Sequence, residues 1–137
     1  MSDGNKQLAT ISVLIVDDDE NARVFLRSFA RSLGCEKIEV VHSGQEALKR
    51  AKTMKPDIVF LDIEMPGVSG LETLQQLLVE NAGQHVVMVS AHSSLNNVQG
   101  AIKSGAKGFV VKPYNALKIR EALLNYLRST ASATPPA

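Results

Sequence analysis

The chain has a single cysteine, Cys35, no tryptophan, few aromatic residues and no excess of either charge sign. One cysteine rules out both an internal disulfide framework and a cysteine metal cluster within the chain. Lone thiols suit a reducing compartment, so Cys35 is expected to be a small packed residue in a cytoplasmic protein. A formal net charge of +1 provides no electrostatic attraction to nucleic acid or to an anionic membrane. No apolar run approaches the roughly 18 residues of a membrane span. The opening residues Met1–Gln7 are polar and lack the apolar core of a secretory signal. His42, His85 and His92 have no metal-ligand spacing. What remains is a chain of 137 residues, 45% hydrophobic, which is enough for one domain with a proper core.

Within that domain, two stretches stand out. Val13–Val16 runs into Asp17, Asp18, Asp19 and Glu20, and Ile58–Leu61 runs into Asp62. Short apolar runs rich in β-branched residues read as strands buried on both faces, and so as members of a parallel sheet. Ligands of open α/β sheets gather beyond the carboxyl ends of the strands. Asp17, Asp18 and Asp62 are therefore expected to converge on one crevice. Like charges held that close call for a cation or for protons.

Helical and strand patterns alternate five times along the chain. Ala22, Phe25, Leu26, Phe29 and Leu33 recur at helical spacing through about residues 21–33, with Gly34 as the stop. Lys37–Val41 is a second strand. Ser43 and Glu46 are placed to form a capping box for the next helix, and Pro56 separates it from the strand ending at Asp62. Ser69 and Glu72 form a second box, opening a helix with Leu71, Leu74, Leu77 and Leu78 inward. Val86–Ser90 is the fourth strand, residues 94–104 the fourth helix, Gly108–Val111 the fifth strand and residues 115–128 the last helix. This alternation predicts a doubly wound α/β domain with a five-stranded parallel sheet and five helices. Residues 1–11 form an N-terminal extension, 12–128 the domain, and 129–137 a disordered tail or linker stub.

The remaining strand ends complete the set. The fourth ends in Ser90, followed by the small Ala91, and the fifth in Lys112 followed by Pro113. Acids, a hydroxyl and an ammonium at successive carboxyl ends make a phosphoryl-transfer site. A metal and Lys112 would neutralise phosphoryl oxygens, Ser90 would donate a hydrogen bond and Asp62 would attack. Taken singly, Ser90 and Lys112 are ordinary surface types and Phe109 an ordinary core type. Asp19 reads as an N-cap, and Asp57, at the start of its strand, as structural.

Over about Ser12–Arg128 the chain closely resembles the receiver domains of two-component response regulators. The resemblance rests on Asp17-Asp18, on Asp62 within Leu61–Gly70, on Ser90-Ala91 and on Lys112-Pro113. It implies a flavodoxin-like fold with strand order 2-1-3-4-5. It also implies a phosphorylation-activated signalling role, in which Asp62 accepts a phosphoryl group from the phosphohistidine of a sensor histidine kinase or histidine phosphotransfer protein. Mg²⁺ would be held by Asp18, Asp62 and the backbone carbonyl of Glu64, with Asp17 acting through water. Ser90, Ala91, Lys112 and Phe109 would bind the phosphoryl group and switch, and the Lys112–Pro113 bond would be cis. Glu64 and His92 would tune phosphoryl lifetime. The resemblance implies no enzyme beyond catalysis of its own phosphorylation and dephosphorylation. A downstream protein would read the face made by the fourth helix, fifth strand and fifth helix, and the protein would be a monomer or a phosphorylation-dependent dimer.

On that face, Leu95, Val98 and Ile102 form the expected inward stripe of the fourth helix, with Gly100 costing about 1 kcal/mol relative to Ala. Leu117 and Leu124 are expected to point partly outward and flank the same surface. Two other readings are weighed. One is a receiver belonging to a multidomain regulator or hybrid kinase. The other, more distant, is an aspartyl-phosphate phosphatase of the haloacid dehalogenase type. There Asp17 would be the nucleophile, but Asn21 stands where Thr or Val is wanted and no acidic pair follows Lys112.

Overall fold

The computed structural model describes residues 7–65, 67–91 and 95–133. Expectations placed on Pro66, His92 and Ser94 lie outside these residues. The element order is β1 (Ser12–Val16), α1 (Glu20–Ser32), β2 (Lys37–Val41), α2 (Gly44–Met54), β3 (Ile58–Asp62), α3 (Gly70–Glu80), β4 (His85–Ser90), α4 (Leu95–Lys103), β5 (Gly108–Val111) and α5 (Ala116–Ala133). All strand pairings are parallel, in the order β2-β1-β3-β4-β5. The doubly wound architecture and the strand order are as expected.

The two-residue period of a strand sorts the core into two layers. Val13, Ile15, Ile58, Phe60, Val87, Val89 and Val110 face Leu26 and Ala30 of α1 and Ile119 and Leu123 of α5. Leu14, Val16, Val59, Leu61, Val86 and Met88 face Ala47 of α2, Leu74 and Leu77 of α3 and Ala101 of α4. β3 and β4 are buried along their whole length, which explains why their sequences are continuous rather than alternating. No helix among the described residues is long and apolar enough to cross a membrane.

Local signals set most of the boundaries. At Ser69 the capping box is complete: the hydroxyl accepts from Glu72 N at 3.2 Å and the Glu72 carboxylate accepts from Ser69 N at 3.3 Å. At Ser43 only the first half forms. Glu46 instead lies 3.5 Å from His42 on the surface. Gly34 ends α1 at φ +120°, where a side chain would be strained. Cys35 is buried, and burial pushes its thiol up to about 11. Asp57 is structural as expected, its carboxylate accepting from Ser12 N at 2.8 Å and tying β1 to β3.

Several expectations are corrected. A helical turn at residues 7–10 precedes β1, and Leu8 and Ile11, three residues apart, enter the α1–α5 layer. The N-terminal extension therefore contributes core. α5 continues past Arg128 through Ala133, because the small residues after Arg128 include no helix breaker before Pro135. Ser129 and Thr130 bond back to carbonyls one turn earlier. Asp19 occupies the N-cap position of α1, but its side chain makes no capping bond. In α4, Ala101 is fully buried whereas Ile102 is 48% exposed. The carbonyl of Ala101 accepts from Ala106 N at 3.0 Å, closing the end of α4 over the sheet and turning Ile102 outward.

One glycine fixes the approach of α3 to the site. A Cβ at Gly70 would run into the carbonyl oxygen of Asp62 and lie 2.5 Å from the Ile63 Cα. Gly70 N donates to Ile63 O at 3.0 Å. Gly70→Ala is expected to cost about 1–3 kcal/mol, the range for overpacking against backbone, read as a lowered urea midpoint. An unchanged midpoint would mean that α3 can shift off β3 freely.

Candidate functional site

The carboxyl ends of β1, β3, β4 and β5 lie side by side. Asp62 pairs in register with Val89, and Val16 with Leu61. Asp17, Asp62 and Lys112 continue the rows of Ile15, Phe60 and Val110, so all three project on the α1–α5 side of the sheet. Ser90 continues the row of Met88, on the other side. Lys112 N donates to Ser90 O at 2.8 Å, joining the ends of β4 and β5. The Lys112–Pro113 bond is cis, as expected.

The acids come together. One carboxylate oxygen from each of Asp17, Asp18 and Asp62 lies within 4.8 Å of the others. Asp17 and Asp62 are both 3% exposed, whereas Asp18 faces solvent. The Lys112 ammonium lies 2.9 Å from Asp17 Oδ2 and 3.5 Å from Asp62 Oδ2, bridging the two buried acids. Asp17 also accepts from Asp19 N at 2.9 Å, which accounts for the orientation of the loop leading into α1. Glu64 N donates to Asp62 Oδ1 at 3.3 Å.

The electrostatics follow from this crowding. Burial, then the neighbouring Asp17 charge, raises the Asp62 carboxyl to about 7, against the opposing pull of Lys112. Burial tends to lower Lys112. The Asp17 hydrogen bond and the charges of Asp62 and Asp17 outweigh it, so the ammonium is held above its ordinary value. One ammonium balances two carboxylates, and Asp18 adds a third. An all-oxygen donor set with surplus negative charge and one open side suits a hard divalent cation that keeps part of its water.

Ser90 is fully buried, and its hydroxyl lies 2.7 and 2.9 Å from the two carboxylate oxygens of Glu64. Ala91 is exposed at the strand end. Phe109 is half-buried against the α2–α4 layer and borders a groove of about 340 Å³ between β5 and α5. That groove takes Lys118, Glu121, Ala122 and Asn125 from α5, not Leu117 and Leu124. Leu117 is 58% exposed, and Leu124 borders a separate depression with Gln7. Leu117 is outward as expected, whereas Leu124 does not flank the groove, because α5 turns it toward Gln7.

Two residues near the site went unnoticed in the sequence. Arg23 Nη1 donates to the carbonyl of Asp17 at 2.8 Å, clamping the end of β1 from the first turn of α1. Tyr114 reaches Ala22 O at 3.4 Å, and burial, the largest influence, pushes its phenol up to about 12. The available signal was proximity: Tyr114 directly follows Lys112-Pro113, and Arg23 opens the helix that Asp17 leads into.

Comparison with known proteins agrees with this geometry. Residues 13–124 match the profile of the response regulator receiver domain. The chain is 40% identical over 113 residues to the chemotaxis protein CheY of Listeria monocytogenes, covering 82% of this chain and 95% of the relative. It is 36% identical over 111 residues to CheY of Thermotoga maritima, covering 81% and 92%. Among solved structures, CheX–CheY–BeF₃–Mg²⁺ from Borrelia burgdorferi matches with a TM-score of 0.82 at 31% identity, covering 85% of this chain and 89% of that one. CheY4 of Vibrio cholerae matches with a TM-score of 0.78 at 26% identity, covering 85% and 99%.

Proposed function

Because the chain belongs to the response regulator receiver family, we propose that Asp62 is its phosphoacceptor and that Asp17, Asp18, Ser90 and Lys112 are the groups that serve the transfer. Receivers are phosphorylation-activated signalling domains, and the dehalogenase-type phosphatase reading finds no support. The observation that carries the residue assignment is the convergence of three carboxylates on one point, two of them buried and bridged by Lys112.

An Asp62 carboxylate oxygen attacks the phosphorus of a phosphohistidine on a sensor kinase or histidine phosphotransfer protein. The phosphorus–nitrogen bond breaks, the imidazole leaves with its electron pair, and an aspartyl phosphate remains. Lys112 is held as a cation beside Asp62 and offers its ammonium to the phosphoryl oxygens. Asp18, Asp62 and the Glu64 backbone carbonyl would hold a Mg²⁺ ion, with Asp17 acting through water, and the ion would supply further neutralisation of the phosphoryl charge. Arg23 and the Asp19 amide keep Asp17 in place. Ser90 and Ala91 contact the phosphoryl group in the modified state, and Phe109 follows Ser90. The altered β5–α5 groove is then read by a downstream protein. The protein acts as a phosphoacceptor that serves its own transfer, not as an enzyme turning over a separate substrate.

Incubation with Mg²⁺ and acetyl phosphate, followed by mapping of the acid-labile adduct by mass spectrometry, is expected to place a single phosphoryl group on Asp62. Labelling at Asp17 would overturn the assignment.

A further inference from the structure

Glu64 touches both halves of the site. Its amide donates to Asp62 Oδ1, while its carboxylate lies 2.7 and 2.9 Å from the Ser90 hydroxyl. A serine hydroxyl carries one proton and can give a full hydrogen bond to one acceptor at a time. In this structure that proton faces a carboxylate, the strongest class of neutral-donor acceptor. Ser90 also lies in the row of Met88, on the opposite side of the sheet from Asp62. Glu64 therefore engages the hydroxyl with a carboxylate other than the aspartate it is to serve.

We infer that the Glu64 side chain is a latch: an internal anion that occupies the Ser90 hydroxyl in the unphosphorylated protein and competes with the phosphoryl group for it. The inference rests on the phosphoacceptor reading of Asp62 and extends it to the control of the switch. Glu64 is the positioning residue, and Ser90 is the group through which it acts. Phosphorylation replaces one acceptor of the Ser90 proton with another, so the strength of the Glu64 bond subtracts from the free energy of the switch. Glu64 faces solvent, and once released its carboxylate is rehydrated without being stranded.

The test uses the whole chain with Glu64→Ala, Glu64→Gln, Ser90→Ala and the Glu64→Ala/Ser90→Ala double variant. In unphosphorylated, metal-free protein, the Ser90 χ1 rotamer is followed by NMR three-bond couplings. The rotamer populations are expected to change in Glu64→Ala relative to the wild type. In parallel, Glu64→Ala should raise the initial rate of labelling by acetyl phosphate and tighten beryllofluoride binding by about five- to tenfold, the size of one partly exposed charge-assisted hydrogen bond. Glu64→Gln should show a smaller gain, since its neutral amide oxygen is a weaker acceptor. In the Ser90→Ala background, removing Glu64 should change nothing. The same gain in both backgrounds, or an unchanged Ser90 rotamer, overturns the latch. Failure of Asp62 itself to be labelled would count instead against the phosphoacceptor reading, which the rotamer measurement does not depend on.

Discussion

Replacing Asp62 with asparagine is expected to abolish phosphoryl labelling and, in the metal-free protein, to raise stability at neutral and alkaline pH. The first effect follows from removing the attacking oxygen, because an amide does not form the acyl phosphate. The second follows from the crowding of acids. Burial and Asp17 raise the Asp62 carboxyl from an ordinary value of 3.8 to about 7, so the folded protein holds this proton more tightly than the unfolded chain. Folding then takes up a proton between about pH 4 and about pH 7. Stability from this group is greatest at the acid end of that window, falls as pH rises through it, and levels off above about 7. The penalty at pH 8 is at most on the order of 4 kcal/mol, from about three tenfold steps in proton affinity at about 1.4 kcal/mol each, and solvent screening on the open side of the site reduces it. Asparagine keeps the size of the side chain and an oxygen for the Glu64 amide, while Lys112 retains its 2.9 Å contact with Asp17. Urea titrations from pH 4 to 8 should therefore show wild-type stability declining relative to Asp62→Asn. Parallel curves, or normal labelling of the variant, would contradict the assignment.

The second large effect is expected at Lys112. Its ammonium lies against two carboxylates that are otherwise out of water. Removing one partner of a buried ion pair costs about 3–5 kcal/mol, because the charge left behind has no counter-ion. For Lys112→Ala in the metal-free protein, a loss near the lower end is expected at pH 8, since the site is open to solvent on the Asp18 side. The loss should shrink at pH 5, where Asp62 carries a proton and less negative charge needs balancing. It should also shrink in an Asp62→Asn background, because the two residues share one interaction. Lys112→Met, which keeps the aliphatic stem, separates charge from packing and should behave much like Lys112→Ala. A loss equal at both pH values and rescued by methionine would show that the stem, not the ammonium, matters. Phosphorylated Lys112→Ala should also fail to rearrange the β5–α5 groove, as followed by hydrogen exchange around Phe109.

The chemistry of the site was legible in the sequence because a parallel sheet makes it local. Each of Asp17, Asp62, Ser90 and Lys112 closes its own apolar run, and strand order alone then brings the four ends to one edge. The sheet order entered with the family resemblance, since the β-strand patterns themselves do not state which strands are neighbours. Caps and stops were equally local: Ser69 with Glu72, and Gly34 after α1, depend on contacts within a few residues.

What depended on distant neighbours was not legible. Leu8 and Ile11 look like part of an extension outside the domain until α1 and α5 offer them a face to cover. Ile102 fits an inward stripe as well as Ala101 does, and only the turn into Ala106 decides between them. Leu124 reads as a candidate for the output face until α5 is docked with that position turned toward the N-terminal segment. The sequence by itself determined which chemical groups stand at the strand ends, because each closes its own apolar run, and which residues of a strand share a face, because that follows from a two-residue period. Only the tertiary structure decided which of those groups touch: that Lys112 is shared between Asp17 and Asp62, and that Ser90 is held by Glu64. Those pairings depend on strand register and loop path to within about 1 Å, the tolerance of a hydrogen bond, which periodicity does not encode.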